Sequence, residues 1–351
     1  MRVLVVTDAW KPQVNGVVHS LEAVAREAAK LGAEIRFCTP EGFRTIAMPG
    51  YREIRLALAP PRAVAERIDA AGADHVHIAT EGPLGLLARH VCLSRGLPFT
   101  TSYHTRFPEY LYARTRLPER WSYAALRRFH NAGAGVMAST PRLAAELETQ
   151  GFRRTMLWSR GVDHALFRPR PSTLDLPRPI FLYAGRVAIE KNIEAFLALD
   201  LPGSKVVVGD GPARAALQAR FPDAHFLGMR KGEALAEIYS GADVFVFPSR
   251  TDTFGIVLLE AMASGLPVAA FPAPGPLDVV TPEAGVLSDD LRAACLAALD
   301  LAPEAARAHA LTFSWVNSAR QFLDNLRNAR SARRSAEQGQ LFDERKIVEA
   351  R

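Results

Sequence analysis

PSRTDTFGIVLLEAMASGLP, residues 248–267, sets two carboxylates, Asp252 and Glu260, about the start of an apolar segment. Thr253 has the side chain of an N-cap, residues 254–263 are almost wholly apolar, and Gly265 supplies a stop, so the spacing predicts a mostly buried helix. A helix start carries unpaired N–H groups and partial positive charge, which suit a diphosphate without a dedicated basic side chain. Seven residues separate the two acids, and at helical rise that is roughly 10–12 Å. The span suits one acid on a hexose and the other on a ribose, with the diphosphate between them. An ordinary capped core helix with solvated acids is the competing reading.

Working outward, the same segment belongs to an alternation of short apolar runs and helical patterns. In the N-terminal half the strand-like runs are 3–6, 34–38, 75–78, 99–103 and 136–138, with helical patterns at 18–31 and 84–95. In the C-terminal half they are 180–183, 205–208, 224–227, 244–247 and 268–271, with helical patterns at 193–199, 213–220 and 234–239. Such alternation predicts α/β architecture, with parallel sheets covered by helices on both faces. FRPRPSTLDLPRP, residues 167–179, interrupts the pattern with prolines and reads as a linker. The expected organisation is an N-terminal Rossmann-like domain over 1–166 and a second over 167–312. A helix at 313–329 is expected to pack back on the first, and a mobile charged tail to occupy 330–351. Two such domains leave a cleft between the carboxyl ends of their strands, where ligands of open α/β sheets bind.

A chain of 351 residues with 48% hydrophobic content supports two cores. No apolar run approaches the ~20 residues that span a bilayer, and the opening MRVLVVTDAWKP is broken by Asp8 and Lys11 too early for a signal peptide. A soluble, cytoplasmic protein is expected. Cys38, Cys92 and Cys295 are scattered without CxxC spacing, so buried reduced thiols are expected in place of a disulfide framework or zinc site. The net charge of +6 favours an anionic partner. Residues 106–130 interleave Arg114, Arg116, Arg120, Arg127 and Arg128 with Tyr110, Leu111, Trp121, Tyr123, Leu126 and Phe129, as a membrane-surface contact does. A solvated helix face over core aromatics reads the same segment differently. Zinc-finger, helix-turn-helix and RNP signatures are all missing, so nucleic acid is not an expected partner.

Dinucleotide chemistry loses its support from the glycines. Gly209, Asp210 and Gly211 lack the third glycine, and Gly133, Gly135 and Ala138 match the looser G-x-G-x-x-A form, but the strand-like run follows these glycines where it should precede them. Other loops are better placed. Asn15 and Gly16 precede a helix, where the glycine permits close approach to a phosphate or sugar hydroxyl, or simply forms a helix-entry turn. YAGRVAIEKN delivers Gly185, Arg186 and Lys191 at a strand end, an arrangement that suits a pyrophosphate leaving group. His104 follows the run 99–103 and should project into the same cleft.

These stretches together resemble the retaining GT-B glycosyltransferases of glycosyltransferase family four. The resemblance is carried by TDAWKPQVNGVV, SYHTRFPEY, WSRGVD, YAGRVAIEKN, VVGDGP, GADVFVFPSRTDTFGIVLLEAMASGLPV and FSW, and covers nearly the whole chain. It looks closest to bacterial enzymes that glycosylate lipids: GDP-mannose-dependent mannosyltransferases and the sulfoquinovosyl and glucuronosyl diacylglycerol synthases. It implies that Asp252 holds the hexose near its C3 and C4 hydroxyls, that Glu260 binds the ribose, and that Arg186 and Lys191 clamp the diphosphate. Gly185 and the amides of Phe254, Gly255 and Ile256 would assist. His104 would touch the sugar near C6, while Asn15, Gly16 and Val17 approach the phosphates and acceptor. The family usually has Glu where this chain has Asp252, which bears on which sugar is held.

The resemblance implies front-face transfer with retention, without a metal, a cofactor or a well-defined protein nucleophile. The expected reaction moves a hexosyl group from UDP-glucuronate or another UDP-hexose to a membrane lipid such as diacylglycerol, on the inner face of the cell membrane. GDP-mannose-dependent transfer to a lipid is the alternative, and a non-catalytic nucleotide-sugar sensor is the alternative of another class. A nucleotide-sugar epimerase would leave the basic aromatic stretch without a purpose. Base contacts are expected around Leu227 to Arg230. Arg106, two residues beyond His104, would share its face in an extended segment and pair with an anionic C6 group, unless it pairs with Glu109 or Glu81 instead.

Overall fold

The structure is a computed structural model describing residues 1–331 except 14, 49–50 and 172–173, and excluding the side chains of 51–53 and 113–114. Beyond residue 331, the expected tail lies outside the described residues, as does the Arg114 side chain. The first half contains β1 (Arg2–Val6), β2 (Glu34–Cys38), an antiparallel hairpin of β3 (Arg44–Met48) and β4 (Tyr51–Leu58), β5 (His75–Ile78), β6 (Phe99–Ser102), β7 (Val136–Ala138) and β8 (Thr155–Leu157). All but the hairpin form one parallel sheet in the order β2-β1-β5-β6-β7-β8. The second half contains β9 (Ile180–Ala184), β10 (Ser204–Val208), β11 (His225–Gly228), β12 (Val244–Phe247), β13 (Val268–Ala270) and β14 (Gly285–Leu287). They too form a parallel sheet, ordered β11-β10-β9-β12-β13-β14.

Both sheets are buried on both faces, which is why their strands read as continuous apolar runs: Val3 to Val6 and Val244 to Val246 are at most 2% exposed. In each sheet the strand order reverses beside the first strand, between β1 and β5 and between β9 and β12. The loops that leave the carboxyl ends there diverge and open a crevice. This topology, more than any single motif, brings the loop after β9 next to the loop after β12.

The helix at 315–331 closes the first domain. Trp315, Ala319, Phe322, Leu323 and Leu326 recur at helical spacing and join Val3, Val5, Leu21, Val24 and Trp158 in one core. Cys38, Cys92 and Cys295 are free and buried, and burial pushes the thiols of Cys92 and Cys295 up to about 12.

Candidate active site between the two sheets

At the carboxyl end of β9 the chain turns through Gly185 and the half-buried Arg186. Gly209, at the end of β10, has φ +133°, and a Cβ there would lie 1.8 Å from the Gly185 carbonyl oxygen. Only glycine lets these two loops pack so closely. Asn192 adopts the left-handed conformation and donates from Nδ2 to the Pro248 carbonyl at 3.1 Å, tying the β9 loop to the β12 loop. Lys191 then donates from Nζ to Asp252 Oδ1 at 2.6 Å. Burial by itself would lower the Lys191 pKa, but the adjacent Asp252 carboxylate, with Tyr110 and Tyr183, holds it above the ordinary lysine value. The second Asp252 oxygen, Oδ2, is buried without a partner.

The apolar helix runs over Ile256–Ala263, two residues later than 254, and Gly255 at its cap has φ 86° and no side-chain cap bond. Thr253 is therefore not the N-cap: its hydroxyl donates to the carbonyl of His104 at 2.9 Å. A tertiary bond across the domain boundary has taken the side chain that local preference would use for capping. Ser139 Oγ donates to the Thr253 carbonyl at 2.8 Å, and Tyr110 donates to the Thr251 carbonyl at 3.3 Å, so the acid-bearing loop is held by both domains. Further along, Thr140 Oγ1 donates to Asp278 Oδ2 at 3.1 Å. About one turn into the helix, Glu260 is 9% exposed and accepts from the Tyr239 hydroxyl at 3.1 Å. Burial pushes its carboxyl up to about 7, against the hydrogen bond that favours the ionised form.

His104 meets this loop from the first domain. Its Nδ1 lies 3.1 Å from Arg160 Nη2, its Nε2 is buried without a partner, and burial reinforced by the Arg160 charge keeps the ring neutral. Arg106 is 5% exposed and donates to Glu109 Oε1 at 3.0 Å and to both oxygens of Glu146 at 2.8 and 2.6 Å. The pairing with Glu109, set above as the alternative to an anionic C6 group, is thus made, and Glu146 joins it, as suits a desolvated guanidinium. Asn15 is likewise committed: its Oδ1 accepts from the amides of Val17 and Val18, both at 3.0 Å, which makes it the cap of helix Gly16–Lys30 and uses the Val17 amide. Of that trio Gly16 faces the cleft, since a Cβ on it would sit 3.6 Å from Ile256 Cδ1 at the opposing helix start.

Two family models match the chain, "Glycosyltransferase Family 4" over residues 14–166 and "Glycosyl transferases group 1" over residues 178–302. The "GDP-mannose-dependent alpha-mannosyltransferase" of Mycobacterium tuberculosis is 32% identical over 309 residues, 80% of this chain and 82% of that protein. The chain belongs to glycosyltransferase family four. The "Sulfoquinovosyl transferase SQD2" of Arabidopsis thaliana is 31% identical over 76% of this chain and 58% of its own length. Sucrose-phosphate synthase from Thermosynechococcus elongatus has the same fold, with a TM-score of 0.74 at 22% identity over 94% of this chain and 99% of that one. The Anabaena protein HepE, solved with UDP and glucose, has a TM-score of 0.72 at 17% identity over 93% and 100%.

The fold is GT-B, and the protein is a glycosyltransferase that uses a nucleotide sugar. In this glycosyltransferase the structure brings Lys191, Asp252 and His104 together at the facing sheet ends, with Glu260 in the helix behind them. Met229 and Arg230, in the stretch expected to meet the base, are exposed at the end of β11. Arg160, Ser139 and Tyr239 were not singled out by the sequence, and Tyr110 stood only among the aromatics of the basic segment 106–130. The first lies in WSRGVD, a segment that carried the family resemblance, and only its position beside His104 gives it a task.

Proposed function

We propose that this glycosyltransferase works with retention and moves a hexosyl group to a lipid acceptor at the inner face of the cell membrane, where it is peripherally bound. The observation that carries the reading is the convergence of Lys191, Asp252 and His104 on an uncapped helix start. Asp252 Oδ2 accepts from the hexose hydroxyls. Lys191 and Arg186, aided by Gly185 and the first amides of the Ile256–Ala263 helix, stabilise the charge that develops on the departing diphosphate. Glu260 accepts from the ribose. The leaving diphosphate, on the face that the acceptor enters, takes the acceptor's proton, so positioning and leaving-group stabilisation supply the catalysis.

A lipid acceptor is supported by helices Phe107–Thr115 and Glu119–His130. They and the turn between them expose Phe107, Tyr112, Leu117 and Trp121, the last 67% exposed, beside exposed Arg116 and Arg120. With Arg106 neutralised by Glu109 and Glu146, the case for a uronate donor falls away. GDP-mannose is the favoured donor, since relatives named for it in three bacteria are 28–32% identical. A UDP-hexose transferred to diacylglycerol is the second reading, favoured by the relative "Alpha-monoglucosyldiacylglycerol synthase" of Streptococcus pneumoniae at 26% identity.

The test incubates the protein with labelled GDP-mannose, UDP-glucose or UDP-glucuronate and liposomes containing diacylglycerol or phosphatidylinositol. Label is expected in the lipid phase, with the anomeric configuration of the donor kept in the product. Tight donor binding with no transfer to any lipid would overturn the lipid reading and point to a soluble acceptor or a sensor.

A further inference from the structure

Two arginines near the cleft are equally buried and differently treated. Arg106 and Arg160 are each 5% exposed. Arg106 has two carboxylate partners. Among the described residues Arg160 forms no ion pair: its Nη1 donates to the carbonyls of Trp158 and Ser159 at 2.5 and 3.3 Å, and its Nη2 reaches Nδ1 of His104 at 3.1 Å. The guanidinium carbon lies 4.4 Å from the Trp158 ring centroid, so an aromatic face supplies part of what a carboxylate would. Burial lowers its pKa to about 9, which still leaves it charged at neutral pH. An uncompensated buried cation is costly, and its position is tightly held. The C-terminal helix pins the segment through Trp158 Nε1 to Ser318 Oγ at 3.1 Å, Ser159 N to Gln321 Oε1 at 2.9 Å and Ser318 Oγ to the Ser159 carbonyl at 2.7 Å.

A guanidinium donates and cannot accept. His104 Nδ1 must therefore offer its lone pair to Arg160, which leaves the imidazole proton on Nε2. That N–H is buried and has no acceptor in the protein. Across the domain boundary Thr253 bonds the His104 carbonyl, and the neighbouring residue, Asp252, presents a buried Oδ2 that likewise lacks a partner. An unfilled donor and an unfilled acceptor thus belong to segments that hydrogen-bond to each other, one from each domain. Leaving either group desolvated and unpaired is costly. A polyhydroxylated ring satisfies both, giving a hydroxyl proton to Asp252 and an oxygen lone pair to His104.

We propose that Arg160 is a positioning residue that fixes His104 as the Nε2–H tautomer and aims this N–H at an oxygen of the bound donor sugar. The nearby positive charge also polarises the ring and strengthens Nε2–H as a donor. The identity of the ligand as a hexose rests on the function proposed above; the tautomer does not.

The test is a long-range proton–nitrogen NMR spectrum of the histidine side chains in the ligand-free protein, with His104→Gln identifying the His104 signals. The wild type is expected to show a lone pair on Nδ1 and a proton on Nε2, and Arg160→Met to mix the two tautomers. A proton on Nδ1 in the wild type would overturn the proposal, and this holds even if Arg160→Met does not fold. In the kinetic arm, Arg160→Met and His104→Gln are each expected to lower kcat roughly tenfold or more, the worth of one oriented hydrogen bond. The double variant should be no worse than His104→Gln, and UDP and GDP should bind as before. Multiplying losses, or weakened nucleotide binding in Arg160→Met, would mean that the arginine acts structurally and not through His104. Failure of transfer to every lipid with the Nε2–H tautomer in place would count against the proposed function and leave the role of Arg160 standing.

Discussion

The two sheets have the same parallel construction and opposite interiors. In the second domain β9 and β12 bury Ile180, Phe181, Leu182, Tyr183 and then Val244, Phe245, Val246 and Phe247, none more than 3% exposed. In the first, β5 and β6 bury His75, His77, Thr100, Thr101 and Ser102 at 0–1%. Thr100 Oγ1 lies 3.1 Å from His75 Nε2 and 2.9 Å from His77 Nδ1, Ser102 Oγ lies 2.9 Å from His77 Nε2, and His130 links Thr101 to Glu81. Asp8, at the end of β1, accepts from Thr80 and from the amides of Leu84 and Gly85. The second sheet is filled by apolar side chains, and its polar contacts begin only in the loops beyond the strands, as between Asn192 and Pro248. The first runs a hydrogen-bonded ladder toward its carboxyl end, where His104 and Arg160 meet the other domain. Packing tolerates volume-conserving change, whereas a polar ladder fixes orientation and is costly when one member is lost.

The largest loss of stability is expected on the apolar side. Phe245→Ala, at the centre of the second core, is expected to cost about 3–5 kcal/mol by cavity formation, read as a lower midpoint in chemical unfolding. At the mouth of that sheet, Asp252→Ala should lower transfer on the order of 100-fold or more, as loss of an oriented polar group in an active site does. Asp252→Glu, the usual residue of the family, should restore most of it. Equal rates for all three would remove Asp252 from the site.

Acidity should separate the domains. Burial, with Arg330 nearby, lowers the His75 pKa to about 4 from 6.5, so its contribution is present above pH 6.5 and is lost as pH falls toward 4. Glu260 is shifted the other way, to about 7 from 4.5, so its contribution is present below pH 4.5 and is lost as pH rises through 7. Either shift is worth roughly 3 kcal/mol. Unfolding followed from pH 4 to 8 should therefore show His75→Asn flattening the acid-side loss and Glu260→Gln flattening the loss toward neutral pH. The same slope in both variants and the wild type would contradict both assignments.

A smaller effect tests the ladder itself. His77→Phe keeps the ring contacts with Trp158 and Phe322 but leaves Ser102 unpartnered, at a cost of about 1–3 kcal/mol. At the bottom of the scale, replacing Arg62 and Glu66 in the first domain or Arg220 and Glu194 in the second with alanine should leave the unfolding midpoint unmoved, because these ion pairs are exposed.

Parallel strands were legible in both sheets: residues 34–38, 75–78, 136–138 and 244–247 were read to the residue, because a parallel strand is a short apolar or alternating run bounded by turn residues. The hairpin of β3 and β4 was missed, since RTIAM and YREIRLAL carry arginines that do not advertise a sheet. Of the candidate site, Lys191, Asp252, Glu260 and His104 were legible as residue types at strand and helix ends. Arg160 was not, because nothing in its sequence neighbours announces a buried guanidinium.

Two α/β domains, the helix of the 248–267 segment and membership of a glycosyltransferase family could be read from the sequence, because these depend on local periodicity and on residues a few positions apart. Tertiary structure decided where the hydrogen bonds went. It drew Thr253 from the expected cap to the His104 carbonyl, closed Arg106 against Glu146, and set Arg160 against His104. In each case a polar group took a partner forty or more positions away that the fold had set beside it, because polar groups shut off from water must be paired wherever a partner lies.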